Sequence, residues 1–282
     1  MTILKNITRD TVENSVQRGL QFTIEADDDI AYLQLKDFYI YVDSDDQQMT
    51  PSFIEHGFWE PWNTVWFGRN VKDDMTVVDV GANVGYFTMM AARLVGKNGE
   101  VIAIEPNPSP MRLLKKSAVE NEFDNIRFYE CAVSDKPGLL ELNVPDINIG
   151  GATLQSVDRL LATSDKIGSV NSFSVSVHTL DDLLLGTVDK IDIIKMDVEG
   201  LEPYVWNGMQ KILKQYRPAI ILEYSPDRLS NEEQASFIES MRYYGKIHIV
   251  TDIGTEVKVD NTYLNRINWI ATLVVRPFDY GE

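Results

Sequence analysis

The sequence predicts an α/β protein in which helices cover both faces of a doubly wound parallel sheet. From Met75 onward, short apolar segments typical of strands alternate with segments of helical periodicity. Several of the strand segments are continuous apolar runs, as expected for strands buried on both faces. One of them, residues 76–80, ends in a glycine-rich turn that leads into a helix. Since strand–helix–strand units cross over with right-handed geometry, these features favour a parallel sheet with its ligand site at the carboxyl edge.

The composition narrows the class of protein. A chain of 282 residues, 44% of them hydrophobic, suits one large domain with an extension or two small domains. Its formal net charge of −17 repels phosphate backbones, so we expect no nucleic-acid partner. The single cysteine, Cys131, excludes an intrachain disulfide and fits a reducing compartment. With no signal-peptide pattern and no apolar run long enough for a membrane span, we expect a cytoplasmic protein, whose oligomeric state the sequence leaves open.

Residues 1–70 differ in texture from the rest and are predicted to form an N-terminal extension that caps the main domain. Residues 21–25 and 32–42 alternate apolar and polar side chains and are predicted strands, with a turn at residues 27–29. Residues 51–67 are rich in aromatic side chains, and the sequence alone does not assign them a role.

Residues 71–282 are predicted to form the main domain. Its predicted strands lie at residues 76–80, 100–104, 126–133, 139–144, 191–196, 219–223, 246–251 and 269–275. Its first two helices are predicted at residues 84–94 and from Asn107 or Ser109, as the capping residue, to Val119. Residues 146–174 fit neither period and are predicted to be a long loop, with a short helix near Leu160 as an option.

The glycine-rich turn after residues 76–80 predicts a nucleoside cofactor. Gly81 allows the chain to turn tightly, and Gly85 lets the following helix pack closely against the strand. The second strand ends at Glu105, and an acid at that position can accept hydrogen bonds from both hydroxyls of a ribose. NAD and S-adenosylmethionine (SAM) both fit this arrangement.

Two residues favour SAM over NAD. Asn83 stands where a dinucleotide turn carries its second glycine, and its side chain obstructs a pyrophosphate but leaves room for the methionine part of SAM. Asp79 would repel a phosphate, whereas it would attract the cationic α-amino group of SAM. We therefore predict SAM as the cofactor and S-adenosylhomocysteine (SAH) as its product, with an NAD-dependent oxidoreductase and a non-catalytic SAM-binding protein as the alternatives.

The motifs, taken together, resemble the FkbM family of SAM-dependent methyltransferases. The matching segments are DVGANVGYFT at 79–88, AIEPNP at 103–108, AVSD at 132–135, HTLDD at 178–182, KMDVEG at 195–200 and ILE at 221–223. The resemblance implies a class I methyltransferase sheet of seven strands, Rossmann-like, with the last strand antiparallel. It also implies O-methylation of a sugar, glycolipid or secondary-metabolite hydroxyl, and it places residues 132–135 beside the adenine. The cofactor site expected from these motifs comprises Asp79, Gly81, Ala82, Asn83, Gly85, Tyr86, Glu105, Pro106, Asn107 and Ala132.

Lys195, Asp197 and Glu199 are the candidate catalytic residues. They lie at the end of the fourth core strand, over the same sheet edge as the glycine turn, and strand periodicity puts Lys195 and Asp197 on one face. In the functional interpretation, Asp197 orients or deprotonates the acceptor, with or without a divalent metal ion, and Lys195 tunes it. In the structural interpretation, Asp197 caps the helix that begins near Leu201 and Lys195 is its ion-pair partner.

Overall fold

A computed structural model describes residues 8–9, 21–25, 30–145 and 170–278 of the chain. The strands in these ranges are β1 (Gln21–Glu25), β2 (Ile30–Gln34), β3 (Tyr39–Asp43), β4 (Thr76–Val80), β5 (Glu100–Ile104), β6 (Ile126–Tyr129), β7 (Ala132–Val133), β8 (Gly138–Pro145), β9 (Val170–His178), β10 (Ile193–Met196), β11 (Ala219–Tyr224), β12 (Gly245–Val250), β13 (Glu256–Lys258) and β14 (Ala271–Pro277). The helices are α1 (Met49–His56), α2 (Pro61–Asn70), α3 (Tyr86–Val95), α4 (Pro108–Glu120), α5 (Leu180–Leu184), α6 (Glu202–Asn207), α7 (Gln210–Tyr216), α8 (Asn231–Tyr244) and α9 (Asn261–Leu264).

The central sheet has the strand order β13-β12-β14-β11-β10-β4-β5-β6. Its strands from β6 to β11 run parallel, whereas β14 is antiparallel to both β11 and β12. The α/β fold class predicted from the sequence is therefore confirmed. In the described residues this sheet has eight strands and not the expected seven, because the short β13 pairs with the edge of β12.

Successive residues of the parallel strands point to opposite faces of the sheet, where they pack into two separate hydrophobic cores. On β4, Val77 packs with the residues of α3 and α4, and Val78 packs on the opposite face with those of α5 to α8. Both side chains are fully buried, which is why these strands are continuous apolar runs in the sequence.

The N-terminal sheet, β1-β2-β3, rests against α4. The backbone amide of Tyr41 donates to Ser117 Oγ at 2.9 Å, and the side chain of Asn121 bonds both the amide and the carbonyl of Tyr39. The predicted single strand over residues 32–42 was wrong: a turn closed by Leu35 N and Phe38 O at 3.0 Å divides this stretch into β2 and β3. The turn predicted at 27–29 lies outside the described residues.

A third sheet, in the order β7-β9-β8, lies beyond the end of β6. The strand predicted over residues 126–133 is broken after Tyr129, and its last two residues pair with β9 in this sheet. Residues 170–174, predicted as part of a loop, belong to β9 and pair antiparallel with β8. The rest of that predicted loop, with the optional helix near Leu160, lies outside the described residues. None of the helices in the described ranges is long and apolar enough to cross a membrane.

Candidate functional site

A cavity of about 340 Å³ opens where the carboxyl ends of β4, β5, β10 and β11 meet. Seven of the ten predicted cofactor residues line it: Gly81, Ala82, Asn83, Tyr86, Glu105, Pro106 and Ala132. All three predicted catalytic residues line it as well: Lys195, Asp197 and Glu199. The three remaining predicted cofactor residues, Asp79, Gly85 and Asn107, do not belong to its lining.

The backbone amides of the glycine turn, residues 81–85, all donate to acceptors within the protein. Those of Gly81 and Ala82 donate to Ile104 O, that of Asn83 to Glu105 Oε2, that of Val84 to Asn83 Oδ1 and that of Gly85 to Ala82 O, at 2.8–3.1 Å. An anion-binding loop needs backbone amides that are free to donate to the ligand. These five amides are therefore unavailable to cradle a phosphate.

The two glycines of the turn meet different neighbours. A Cβ atom on Gly81 would lie 1.8 Å from the carbonyl oxygen of Asp197, so the turn passes directly against the end of β10. A Cβ atom on Gly85 would lie 2.6 Å from the side chain of Leu114 on α4. The sequence predicted that Gly85 lets α3 pack closely against β4. This was wrong, because the close neighbour of Gly85 is α4.

Glu105 is a buried acid in the lining of the cavity. It is 7% exposed, and its two carboxylate oxygens accept hydrogen bonds from the amides of Asn83 at 2.9 Å and Asn107 at 2.8 Å. Burial raises the pKa of Glu105 to about 7, although these two bonds act in the opposite direction. Asn107 itself is buried and caps α4, where its side chain accepts from the amide of Ser109.

Lys195 is buried between two carboxylates. Its Nζ lies 3.5 Å from Asp79 Oδ1 and 3.4 Å from Asp197 Oδ2, and it stands 5.2 Å from the centre of the Phe87 ring. Burial acts to lower the pKa of Lys195, but the carboxylates of Asp197, Asp79 and Glu60 outweigh it and raise that pKa. The side chain is therefore a permanent ammonium at neutral pH.

Asp79 faces this ammonium and not the cavity. It is 1% exposed, and its Oδ2 accepts a hydrogen bond from Thr88 Oγ1 at 2.6 Å. Asp79 was predicted to attract the cationic amino group of a cofactor, and the cation that lies beside it in the structure is Lys195. The geometry gives Asp79 an indirect part in the site, through the position of Lys195.

Asp197 does not cap the helix after β10, although the structural interpretation of the sequence had predicted that it would. This helix begins at Glu202, whose Oε1 accepts from the amide of Val198 at 2.9 Å, and no side chain caps it from Leu201. The expectation that Asp197 caps this helix was wrong, since the N-cap position is Leu201 and no side chain caps the helix there. The ion pair of Asp197 with Lys195 is present as that alternative expected.

The chain matches a known protein family over its central part. The family described as "Methyltransferase FkbM domain" covers residues 79–247. This chain belongs to the FkbM methyltransferase family. Methyltransferase 1 of Beauveria bassiana is 24% identical over 148 residues, which are 49% of this chain and 59% of that protein. Methyltransferase sdnD of Sordaria araneosa is 24% identical over 164 residues, 50% of this chain and 63% of that protein.

The matched segments span about three fifths of the length of these relatives. Among solved structures, Methyltransferase FkbM of Methylobacillus flagellatus KT aligns with a TM-score of 0.44 and 19% identity, over 72% of this chain and 44% of that one.

Three charged residues of the cavity were not predicted as site residues. Glu223, on β11, lies inside the FkbM domain, and burial raises its pKa to about 8. Arg228 pairs with Glu199 and stands 3.9 Å from Glu223. Glu60 lies outside the FkbM domain, in the loop before α2, and burial raises its pKa to about 7. The Leu-Glu pair at the end of an apolar run could have indicated Glu223, but no sequence pattern singles out Glu60.

In the part of the chain that the structure describes, no group of three or more His, Cys, Asp or Glu side chains is arranged to hold a metal ion. The acids around the FkbM cavity instead have basic or hydrogen-bonding partners: Lys195 for Asp197, Arg228 for Glu199, and Ser225 for Glu223 at 2.8 Å. These contacts give no support to the metal-bound form of Asp197 that the sequence analysis left open.

Proposed function

We propose that this FkbM protein uses SAM to methylate a hydroxyl oxygen of a small, sugar-like acceptor. The observation that carries the proposal is that the glycine turn and Glu105 line the same cavity as Asp197 and Lys195. In class I methyltransferases, as in other open α/β sheets, ligands bind at the carboxyl edge where this cavity opens.

In this proposal Glu105 accepts hydrogen bonds from the ribose of SAM, and Ala132 lies beside the adenine. The methionine part passes the turn at Gly81 and Asn83, toward Tyr86. The cofactor supplies the reactive methyl group, so the protein has to orient the acceptor and accept its proton. Nothing in this scheme requires a metal ion.

The turn supports SAM over NAD. Because the amides of residues 81–85 all donate within the protein, none remains for the pyrophosphate of a dinucleotide. Asn83 also lines the cavity at this point. Membership of a methyltransferase family also favours SAM over the NAD-dependent oxidoreductase alternative.

The part of the cavity around Asp197 supports a hydroxyl-rich acceptor. Asp197 and Glu199 offer carboxylate oxygens to acceptor hydroxyls, and Trp59, an aromatic residue of the kind on which sugar rings stack, lines the same cavity. We assign Asp197 to orienting the acceptor, with Lys195 holding it in place, and Glu199 to a flanking contact. Sugar, glycolipid and secondary-metabolite hydroxyls all fit this chemistry.

The test is a binding experiment followed by a turnover experiment. Calorimetry should show SAH binding with no binding of NAD⁺, and SAH should raise the melting temperature, because a ligand selective for the folded state stabilises it. A panel of methyl glycosides incubated with SAM should then yield a methylated product by mass spectrometry. NAD⁺ binding without SAH binding would overturn the proposal, and SAH binding without turnover on any hydroxyl acceptor would favour the non-catalytic alternative.

A further inference from the structure

We infer that Glu60, which lies outside the FkbM domain, is the group that takes the proton from the acceptor hydroxyl. The inference rests on the proposed function, which it deepens by naming the base. Three observations support it: the position of Glu60 in the cavity, its backbone conformation, and the absence of a salt-bridge partner for its carboxylate among the described residues.

Glu60 stands at the acceptor end of the cavity. It lines the main cavity together with Lys195 and Asp197, and the same three side chains line a smaller pocket of about 20 Å³ that adjoins it. Glu223 is the fourth charged residue shared by the two. An acceptor bound at Asp197 therefore lies in a part of the cavity that Glu60 also lines.

The backbone holds Glu60 in a conformation that residues other than glycine rarely adopt. Its φ of 42° and ψ of 78° are left-handed, although it precedes Pro61, which itself restricts the residue before it. Such strain persists only where surrounding contacts enforce it, and it concentrates at functional sites. Here Thr64 enforces it: its amide donates to Glu60 O at 2.9 Å and its hydroxyl to Trp59 O at 2.5 Å.

The same threonine ties this loop to the glycine-turn helix. Thr64 Oγ1 lies 3.1 Å from the hydroxyl of Tyr86, the first residue of α3 and a lining residue of the cavity. One carboxylate oxygen of Glu60 accepts a hydrogen bond from Asn63 Nδ2 at 2.7 Å. The contact of Thr64 with Tyr86 thus holds the loop against the helix after the glycine turn, and the bond from Asn63 holds the Glu60 carboxylate within that loop.

Glu60 differs from its acidic neighbours in its partner. Asp197 pairs with Lys195, and Glu199 pairs with Arg228. Among the described residues, the hydrogen-bond partner of the Glu60 carboxylate is a neutral amide, and no cation lies within salt-bridge distance of it. A carboxylate without a cation in direct contact is the better base, because a salt bridge would stabilise its charged form more strongly than a cation farther away does.

The charges around Glu60 match this role. Burial raises its pKa to about 7, Asp197 and Glu199 act in the same direction, and Lys195 acts against them. Tyr86 and Glu223 are the other titratable groups at the same end of the cavity. A base whose pKa lies near the working pH is ionised for part of the time and still holds a proton well enough to remove it from an alcohol.

The reaction step balances without any further reactant. The acceptor oxygen forms a bond to the methyl carbon of SAM, and the carbon–sulfur bond breaks with its electron pair going to sulfur, which leaves neutral SAH. The hydroxyl proton moves to the carboxylate of Glu60, giving the carboxylic acid. After the products leave, that proton passes to solvent and the carboxylate is restored.

The test needs no acceptor. Sinefungin resembles SAM but carries an amine on a carbon in place of the methylated sulfur, so its ammonium points to where the methyl group is transferred. A Glu60 carboxylate at that place should hold sinefungin more tightly than SAH. By calorimetry at about pH 8, Glu60→Gln should leave SAH affinity within about twofold of wild type and weaken sinefungin by about tenfold or more, the size expected of a lost charged hydrogen bond.

Glu55→Gln is the matched control, since Glu55 is an exposed acid of α1 in the same segment. It should change neither affinity. Unchanged sinefungin affinity in Glu60→Gln would overturn the inference, as would an equal loss of both ligands, which indicates a structural role. Failure of the wild type to bind SAH would instead overturn the proposed function.

Should Glu60→Gln not fold, Glu223→Gln provides the second route. In that variant Glu60 is the acid beside Lys195 and Asp197 whose pKa lies at about 7, and Glu105 faces the ribose that both ligands share, so the ratio of sinefungin to SAH affinity should fall as the pH falls through about 7. A ratio that stays flat from about pH 8 to about pH 6 would overturn the inference.

Discussion

Gly81 lies directly against the backbone of Asp197, so that a Cβ atom added to it would sit 1.8 Å from the Asp197 carbonyl oxygen. The contact joins the glycine turn after β4 to the first residue after β10. Because the obstructing atom belongs to the backbone, it cannot rotate away as a side chain can. This part of the cavity wall therefore has room for the hydrogen atom of a glycine but not for a methyl group.

We expect Gly81→Ala to weaken SAH binding at least tenfold and to lower the melting temperature. The φ of Gly81 is +75°, so a side chain adds backbone strain of about 1–3 kcal/mol to the clash with Asp197. Gly138→Ala is the matched control, because nothing lies within 4 Å of its added Cβ atom, and it should bind SAH like the wild type. Full SAH affinity in Gly81→Ala, measured by calorimetry, would contradict the placement of the cofactor at this turn.

Glu105→Gln should weaken SAH binding about tenfold or more if Glu105 accepts the ribose hydroxyls. The same carboxylate also holds the amides of Asn83 and Asn107, so a loss of affinity alone could come from a loosened turn. The 2′-deoxy analogue of SAH separates the two causes. Removing the hydroxyl should cost affinity in the wild type and little in Glu105→Gln, whereas equal costs in both proteins would show that Glu105 acts on the turn and not on the ribose.

Much of the parallel sheet could be predicted because burial on both faces leaves a direct mark on the sequence. Residues 76–80 and 100–104 are apolar runs between turn residues, and the structure has β4 and β5 with those bounds. The whole of β9 was missed, because its apolar residues are separated by exposed polar ones. The alternation of Phe173, Val175 and Val177 with serines was the signal that could have found the strand.

The part of the cavity around Asp197 could be predicted only in part. Lys195 lies near the end of a recognisable strand and Asp197 follows it, so their order along the chain places them at the sheet edge. Glu60 reaches the cavity through a left-handed backbone conformation in a separate segment, and neither its residue type nor its spacing encodes that. The burial of Asp79 behind Lys195 likewise depends on which neighbouring side chain fills the space, which local periodicity does not determine.

Glu202 should make the protein less stable as the pH rises from about 4.5 to about 7. Glu202 is 2% exposed, and burial raises its pKa from the usual 4.5 to about 7. Between these values the folded state holds more protons than the unfolded state, so the free energy of unfolding falls as protons are removed. The full effect is on the order of 3 kcal/mol.

Glu202→Gln should flatten this part of the pH dependence, because the amide oxygen of glutamine can still accept from the amide of Val198. Melting temperatures at about pH 5 and about pH 8 measure it, and Glu239→Gln, an exposed change on α8, is the control. If the difference between the two pH values is the same in Glu202→Gln and in the control, Glu202 is ionised in the folded protein over the whole range and the prediction is wrong.

Lys195→Met should destabilise the protein through Asp79. Asp79 is 1% exposed and has Lys195 as its cationic partner at 3.5 Å, so the substitution leaves a buried carboxylate without a compensating charge. Breaking one side of a buried pair in this way costs about 3–5 kcal/mol. Asp197 contributes less to this cost, because its side chain is 28% exposed and keeps contact with water.

The double variant Asp79→Asn/Lys195→Met should recover most of that loss, because asparagine keeps an acceptor for Thr88 and carries no charge. Burial raises the pKa of Asp79 while Lys195 lowers it, so removal of Lys195 raises that pKa further. The single variant should therefore be less impaired at low pH, where Asp79 can take up a proton, and more impaired as the pH rises. Urea unfolding of the four proteins of this cycle at about pH 6 and about pH 8 gives the coupling energy directly. A coupling near zero at both pH values would mean that Lys195 does not serve to neutralise Asp79, and its role would then lie with Asp197 at the acceptor.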